Sequence, residues 1–396
     1  MRVLGFALFG ILTVVMAQAA GPFVPDELAE GVGAEAVEDV LTILASSMLA
    51  VTTFSLSIAN NAFTSAAETA TPRVTALLQE DRTTQNVLAS FLGAFVFSLL
   101  GVVGLNAGYY SASGRFILFV ATGVVILIVL AALIRWISHL TEFGKMKDIL
   151  DRVERRTAQA INLRNASPQL GGKLYEGDPP EDAVSITAEH VGYVQHIDMA
   201  QLADALSMVE GEAWVVALPG HFVHHASPLV SVRALTMDDD DQARLRGAFV
   251  CGNDRDIAQD PEFGLVMLAE IASRALSTAL NDAGTAIDVL GRQARLLALW
   301  HPSTNDAPEY PTIHLPGVKP EEIIEAAFYS VARDGAATCE VCLRLQQALA
   351  SIGGAGGLKA AALDFARRAI DMSEMAGLPE PERARLSAVA VNSHGE

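Results

Sequence analysis

Two uncharged, apolar stretches, residues 87–105 and 117–134, separated by a short polar turn, constrain this chain more than any other feature. Each is long enough to cross a hydrocarbon core of about 30 Å as a helix, and buried helices of soluble proteins seldom run so far without charge. The turn between them carries Tyr109 and Tyr110, amphipathic rings of the kind that favour a membrane interface. An antiparallel membrane hairpin is the expected result. Beyond its second arm, Trp136 precedes a basic cluster of Lys145, Lys147, Arg152, Arg155 and Arg156, which the positive-inside rule assigns to the cytoplasm.

The N-terminus allows two readings. Residues 1–20 begin with Arg2, run apolar and end in small residues, the anatomy of a cleavable signal peptide. The same run, continued through Val24, is also long enough to be retained as a helix. Residues 25–39 are acidic and carry no Lys or Arg, which suits the outer side in either case. Residues 40–67 hold no charge, yet Thr53, Ser57, Asn60 and Thr64 recur at helical spacing with Asn61 beside them. This lays a polar stripe along an otherwise apolar helix. Such a stripe bonds neighbouring helices or passes the membrane surface, or else it lines a hydrated path as a candidate pore wall. No Lys or Arg occurs between Arg2 and Arg73, and Arg73 and Arg82 follow together. Four spans, near 3–24, 40–62, 86–106 and 116–137, satisfy all these placements. Arg73, Arg82 and His139 then stand at the cytoplasmic rim as candidate interface or gating residues, although snorkelling to lipid phosphate is the plainer role for Arg73.

Apolar residues make up 51% of the chain and the net charge is −19, but the apolar excess precedes residue 141 and the charge lies mostly after it. An acidic surface argues against a nucleic-acid partner. The partners that remain are the lipid bilayer and further copies of the chain as a homo-oligomer, with any ligand or protein partner unidentified. Cys251, Cys339 and Cys342 imply no disulfide framework in a reducing compartment. Cys339 and Cys342 form a single C-x-x-C without a second pair, and His221, His224 and His225 lack other ligands at metal spacing. The acidic run 238–241 lacks the Gly and final Glu of a calcium loop. No metal and no cofactor are implied.

After the transmembrane domain of residues 1–140, a charged helix and linker occupy 141–182 and a small α/β subdomain 183–235. Its strands are expected at 184–188, 192–197, 213–218 and 228–232 with a helix at 200–209. A helical subdomain covers 236–378, including helices at 320–333, 337–351 and 358–375 around a glycine-rich hinge at 353–357. Residues 379–396 form a tail with little to bury. The densest polar constellation joins Arg255, Asp260, Arg274, Ser277, Asn281, Asp282, Thr285 and Asp288 as a candidate binding junction. Phe263, Met267 and Ile271 share one helix face there, and Glu270 and Arg274 have the spacing of a helical ion pair. Asn281 and Asp282 can cap the helix that follows, and such a helix start attracts anions. Ser277 has no partnered His for a nucleophilic triad, and no other catalytic set stands out, so the chain does not read as an enzyme.

Several local motifs resemble a known family, the bacterial predicted membrane proteins called domain of unknown function 2254. They are Thr71-Pro72-Arg73, Leu88-Ala89-Ser90-Phe91-Leu92-Gly93-Ala94-Phe95, Ile137-Ser138-His139, Gly192-Tyr193-Val194-Gln195, and Asp260-Pro261-Glu262-Phe263-Gly264 through Arg274-Ala275-Leu276-Ser277 to Asn281-Asp282 and Thr285-Ala286. Where the family pattern has Ser-Pro-Arg, and Pro after both the Ser and the Asp near 277–283, this chain has Thr71, Thr278 and Ala283. The resemblance implies four membrane helices, a retained first helix and a cytoplasmic domain, and it brings no activity. The expected fold is an α-helical membrane protein of four transmembrane helices with a helix-rich, C-terminal cytoplasmic α/β domain, in the bacterial inner membrane. The first functional expectation is a homo-oligomeric ion or small-solute pore, since so few helices enclose a channel only as a ring of subunits. The alternative is a membrane-anchored sensor or scaffold.

Overall fold

The computed structural model describes residues 33–79, 81–301, 307–352 and 357–392, with a few positions between 5 and 15. Most of the span expected near 3–24, its cleavage site and most of the 353–357 hinge lie outside the described residues. The chain divides into two compact units, one of residues 1–68 and 72–149 and one of 69–71 and 150–396.

The first unit consists of α1 (Ala34–Thr69), α2 (Pro72–Gln79), α3 (Arg82–Asn106) and α4 (Ala112–Leu140). Among the described residues, three helices, α1, α3 and α4, are long and apolar enough to cross a membrane. Val37, Leu41, Leu44 and Met48 recur at steps of four and three and so form one stripe on α1. Val87, Phe91, Ala94 and Phe97 do the same on α3, and Leu118, Ala121, Val125 and Val129 on α4, and the three stripes make a single buried cluster. The outward faces are apolar as well, with Phe54, Leu99, Leu127 and Ile134 exposed, a surface suited to lipid rather than water. Both arms of the hairpin start about a turn earlier than their apolar runs suggest, because the caps are polar residues. Asp81 accepts the Thr84 backbone N–H and hydroxyl, each at 2.7 Å, and Ser111 accepts the Gly114 N–H at 3.2 Å. In the turn Tyr109 is exposed, whereas Tyr110 is buried in the hairpin core.

Contacts at both ends fix how deep α1 lies beside the hairpin. At one end Asn106 Nδ2 donates to Glu38 Oε1 at 3.1 Å. At the other, the Phe63 and Phe143 rings meet edge-on with centroids 6.0 Å apart, and His139 Nε2 stands 2.9 Å from Asp81 Oδ2. Between positions 38 and 63 a helix rises roughly 38 Å, more than the hydrocarbon thickness of about 30 Å. Asn60, Asn61 and Thr64 are therefore level with the Asp81 end of the hairpin, and only Thr53 and Ser57 lie deeper. All five side chains are exposed. The hydroxyls of Thr53 and Thr64 donate to their own helix, to Leu49 O at 2.9 Å and Asn60 O at 3.1 Å.

The second unit takes in most of α5 (Met146–Ala166), then β1 (Gly172–Tyr175), β2 (Val184–Thr187), β3 (Gly192–Ile197), α6 (Met199–Met208), β4 (Glu212–Val215), β5 (Phe222–Val223), β6 (Pro228–Arg233), α7 (Asp239–Gly247) and β7 (Phe249–Gly252). It continues with α8 (Pro261–Ala275), α9 (Ala283–Ala298), β8 (Tyr310–Pro316), α10 (Pro320–Asp334), α11 (Cys339–Ile352), α12 (Lys359–Met375) and α13 (Glu380–Asn392). A five-stranded sheet runs β1-β8-β4-β6-β2 and a three-stranded sheet β5-β3-β7. In the larger sheet β8 pairs parallel with β1 and β4, and β6 pairs antiparallel with β4 and β2. One core cluster joins both sheets with α6 and α7, and α8 to α12 pack in a helical layer of their own.

The four expected strands are present, but the sheets also recruit β1, β7 and β8 from segments read as linker or helical. The α/β region is therefore not confined to 183–235. β8 was hidden by Pro311 and Pro316, which argue against an interior strand. Its register against β1 breaks between Gly172↔Tyr310 and Lys173↔His314, which leaves Pro311 out of the ladder, while Ile313 and Leu315 alternate into the core. The tail differs too. Residues 380–392 form α13, whose Leu386 is 1% exposed and packs with Cys339, Cys342 and Leu378. A single buried leucine leaves no periodic stripe to read. Burial, reinforced by Cys339, pushes the Cys342 thiol up to about 11, so it is a poor thiolate at neutral pH. An ionic cluster ties α9 to α5. Arg292 is 7% exposed and donates from Nη1 to Asp151 and Glu154, each at 2.6 Å, and from Nε to Asp288 at 3.0 Å.

Candidate functional site

The start of α8 is built by one carboxylate with two tasks. Asp260 Oδ1 accepts the Phe263 N–H at 3.1 Å as the N-cap, with Pro261 at the first helical position, where a missing N–H costs nothing. Its Oδ2 accepts Arg255 Nε and Nη2, both at 2.7 Å, and the Arg255 guanidinium lies 5.0 Å over the Phe263 ring. A backbone turn closes over this pair. Gly220 has φ +95°, and a Cβ there would overlap Asp260 Oδ2 and stand 3.0 Å from Arg255 Nη2. The Pro219-Gly220 turn thus needs glycine both for its conformation and for the close approach.

Beside the pair is a cavity of about 220 Å³ walled by Arg164, His221, Glu262, Trp300 and Glu322 in addition to Arg255 and Asp260. Its charges are unevenly satisfied. Arg255 closes on Asp260, and Glu322 accepts Lys319 Nζ at 2.9 Å. Arg164 donates Nη2 to the Gln259 carbonyl at 2.8 Å, and among the described residues it forms no ion pair. Glu262 has neither an ion pair nor a hydrogen bond to its side chain among the described residues. Burial lowers the pKa of Arg164, against the pull of Glu262 and Asp260. Burial likewise raises Asp260 against Arg255, and it raises Glu262 with help from Asp260. His221 is lowered by burial, against Asp260 and Glu322, and so is neutral at neutral pH. A wider cleft of about 400 Å³ shares Arg164 but is more open.

The raised Glu262 has a stability consequence of definite sign. A carboxyl whose folded pKa exceeds its unfolded value binds its proton more tightly in the folded state, so it costs stability as pH rises through the folded pKa. Replacing Glu262 with Gln is expected to raise the melting temperature at neutral pH. The gain should shrink as pH falls toward the ordinary value of 4.5. A thermal melt series from neutral to acid pH checks both parts, and a gain independent of pH would contradict the assignment.

The sequence-derived junction divides in two. Arg255 and Asp260 are in the cavity, whereas Ser277, Asn281, Asp282 and Thr285 lie at the opposite end of α8, roughly 22 Å away along a 15-residue helix. Arg274 is exposed and makes no ion pair with Glu270, and Asp288 serves Arg292. The second group is a helix junction. Asp282 accepts the Thr285 N–H at 3.0 Å and its hydroxyl at 2.6 Å, and Asn281 adopts φ +49°. Asp282→Ala is expected to cost about 1 kcal/mol as a lost cap, read as a lowered denaturation midpoint with unchanged slope. Arg73 and Arg82 are exposed, while His139 is drawn to Asp81. Sequence reasoning missed Arg164, Glu262, Trp300 and Glu322 as site residues, and set His221 aside as lacking further ligands at metal spacing. The one local signal was for Glu262, which stands inside the motif already singled out.

The fold and this site define a helix-rich membrane protein carrying a C-terminal α/β region with a charged cavity. The chain belongs to the family described as "Predicted membrane protein (DUF2254)", which it matches over residues 1–351. It is similar to uncharacterised proteins of Mycobacterium tuberculosis and Mycobacterium bovis, each 31% identical over 254 residues, or 61% of this chain and 47% of the relative. The chain thus spans about half the length of the curated relatives it matches. No solved structure matches it.

Proposed function

We propose that the protein is a membrane-anchored receptor of the bacterial inner membrane, which binds a small polar ligand in the cavity at the start of α8. The observation that carries this reading is the pair of opposite charges, Arg164 and Glu262, left without ion-pair partners among the described residues around a partly open cavity. A purely structural cluster would close its charges on each other, as Arg255 and Asp260 do. Arg164 stands in the last turn of α5, the helix through which the chain passes from one unit to the other. Four spans with the C-terminal domain in the cytoplasm are supported by the basic cluster after α4. The stacking of Phe9 on Phe97, centroids 5.8 Å apart, supports a retained first helix. The test is a thermal-shift screen of the full-length protein in nanodiscs against small polar metabolites. A ligand that binds only the folded state raises the melting temperature, and a screen without any such compound would sink the reading.

A homo-oligomeric pore is the second reading, and the exposed polar stripe of α1 favours it. It ranks lower because Asn60, Asn61 and Thr64 stand at the level of the Asp81 end, leaving Thr53 and Ser57 as the polar lining at depth. Its test is the particle mass in nanodiscs followed by ion flux from liposomes. A closed ring whose flux is abolished by Ser57→Leu would establish it, and a monomer without flux would remove it.

A further inference from the structure

Resting on the receptor reading above, we propose that the cavity takes a small zwitterion with an ammonium and a carboxylate a few bonds apart, such as a free α-amino acid. Its ammonium would lie at Glu262 and its carboxylate at Arg164. The charges around the cavity account for this class. Three carboxylates, Asp260, Glu262 and Glu322, and two guanidinium groups, Arg164 and Arg255, line the cavity; Arg255 closes on Asp260, and Glu322 is paired from outside the lining by the exposed Lys319. What remains is one cation and one anion, half-buried, which feel each other's charge but form no ion pair with each other.

A simple anion on Arg164 would leave Glu262 unmatched and would meet its field, and a simple cation on Glu262 would leave Arg164 with only the Gln259 carbonyl. A zwitterion satisfies both ends without ionising or reorganising the wall, since Arg255 is locked by two bonds to Asp260. Neutral His221 adds no third positive charge to disturb the balance. At about 220 Å³ the cavity is smaller than the roughly 300–1,000 Å³ typical of drug-sized ligands, and Leu218, Trp300 and Val318 offer apolar wall for a short side chain.

The test measures melting temperature and binding heat for the full-length protein in nanodiscs. The probes are the free L-amino acids, matched amines and carboxylates lacking the opposite charge, inorganic phosphate and putrescine. At least one amino acid is expected to stabilise the protein while its amine and carboxylate counterparts do not. Arg164→Met and Glu262→Gln are each expected to weaken that binding roughly tenfold to hundredfold, and Arg164→Lys to retain part of it. A Glu262→Gln protein that melts cooperatively without ligand, at or above the parent's temperature, and still shows no response has lost binding and not folding. Stabilisation by phosphate or putrescine alone, removed by the same substitutions, would overturn the zwitterion while leaving the receptor reading intact. An amino-acid response unchanged in both variants would overturn this placement, and no response to any compound would overturn both readings.

Discussion

Replacing Arg292 with methionine is expected to destabilise the C-terminal unit by about 3 kcal/mol, the lower end of the range for breaking a buried ion pair. The guanidinium is 7% exposed and serves three carboxylates, Asp151, Glu154 and Asp288, on two helices. Burial pulls its pKa down, but the hydrogen bonds to Asp151 and Asp288 outweigh this and hold it above the usual arginine value. Methionine keeps much of the volume and leaves three anions facing one another. Asp151 and Asp288 are 41% and 48% exposed, so water takes up part of the loss, and Arg295 still reaches Glu154 at 2.9 Å. Those two facts place the estimate at the lower end. Arg292→Lys should fall between the two, because an ammonium cannot span the three carboxylates as a planar fork does. Denaturant titration of the full-length protein checks the order, and a methionine variant within about 0.5 kcal/mol of the parent would make the cluster an ordinary surface network.

The membrane hairpin was legible because its signal is local. The stretches 87–105 and 117–134 are uncharged over a whole span, and α3 and α4 follow them, extended only by their polar caps. The helices α10, α11 and α12 were legible for a similar reason, each having a 3.6-residue stripe between clear stops. Pairing across long separations left no such trace. Gly172 of β1 pairs with Tyr310 of β8, far along the chain, and prolines hid β8 within a segment read as helical. The site was legible by half. Arg255 and Asp260 lie close in sequence and are joined by an ion pair, whereas Arg164 reaches the cavity from the distant stretch read as charged helix and linker. Ser277 to Asp288 looked equally dense on paper, but its polar groups are consumed by turns, the Asp282 cap and Arg292. Density of polar residues does not tell a site from a helix junction; an unmatched charge beside a cavity does, and that needs three dimensions.

Gly264→Ala is expected to lower stability by about 2 kcal/mol or more, although alanine is the better helix former by roughly 1 kcal/mol. The sign follows from how closely α8 approaches α5. A Cβ at 264 would overlap the Thr157 hydroxyl and lie 2.8 Å from both Thr157 Cβ and Cγ2. Thr157 has no room to yield, being 0% exposed and bonded through Oγ1 to Val153 O at 2.8 Å. Relief therefore requires the helices to move apart. Thr157→Gly placed on top of Gly264→Ala returns the small residue to the contact from the other side, and it should recover about 1 kcal/mol relative to additivity. An alanine variant as stable as the parent would show that the helices have slack. The same contact bears on the cavity, because Glu262 precedes Gly264 by two residues on α8 and Arg164 follows Thr157 by two turns on α5. Spreading these helices changes the distance between the two unmatched charges. The alanine variant should therefore lose ligand response along with stability, and the double variant should regain part of both. A variant that regained stability alone would separate the packing of α5 on α8 from the spacing of the site.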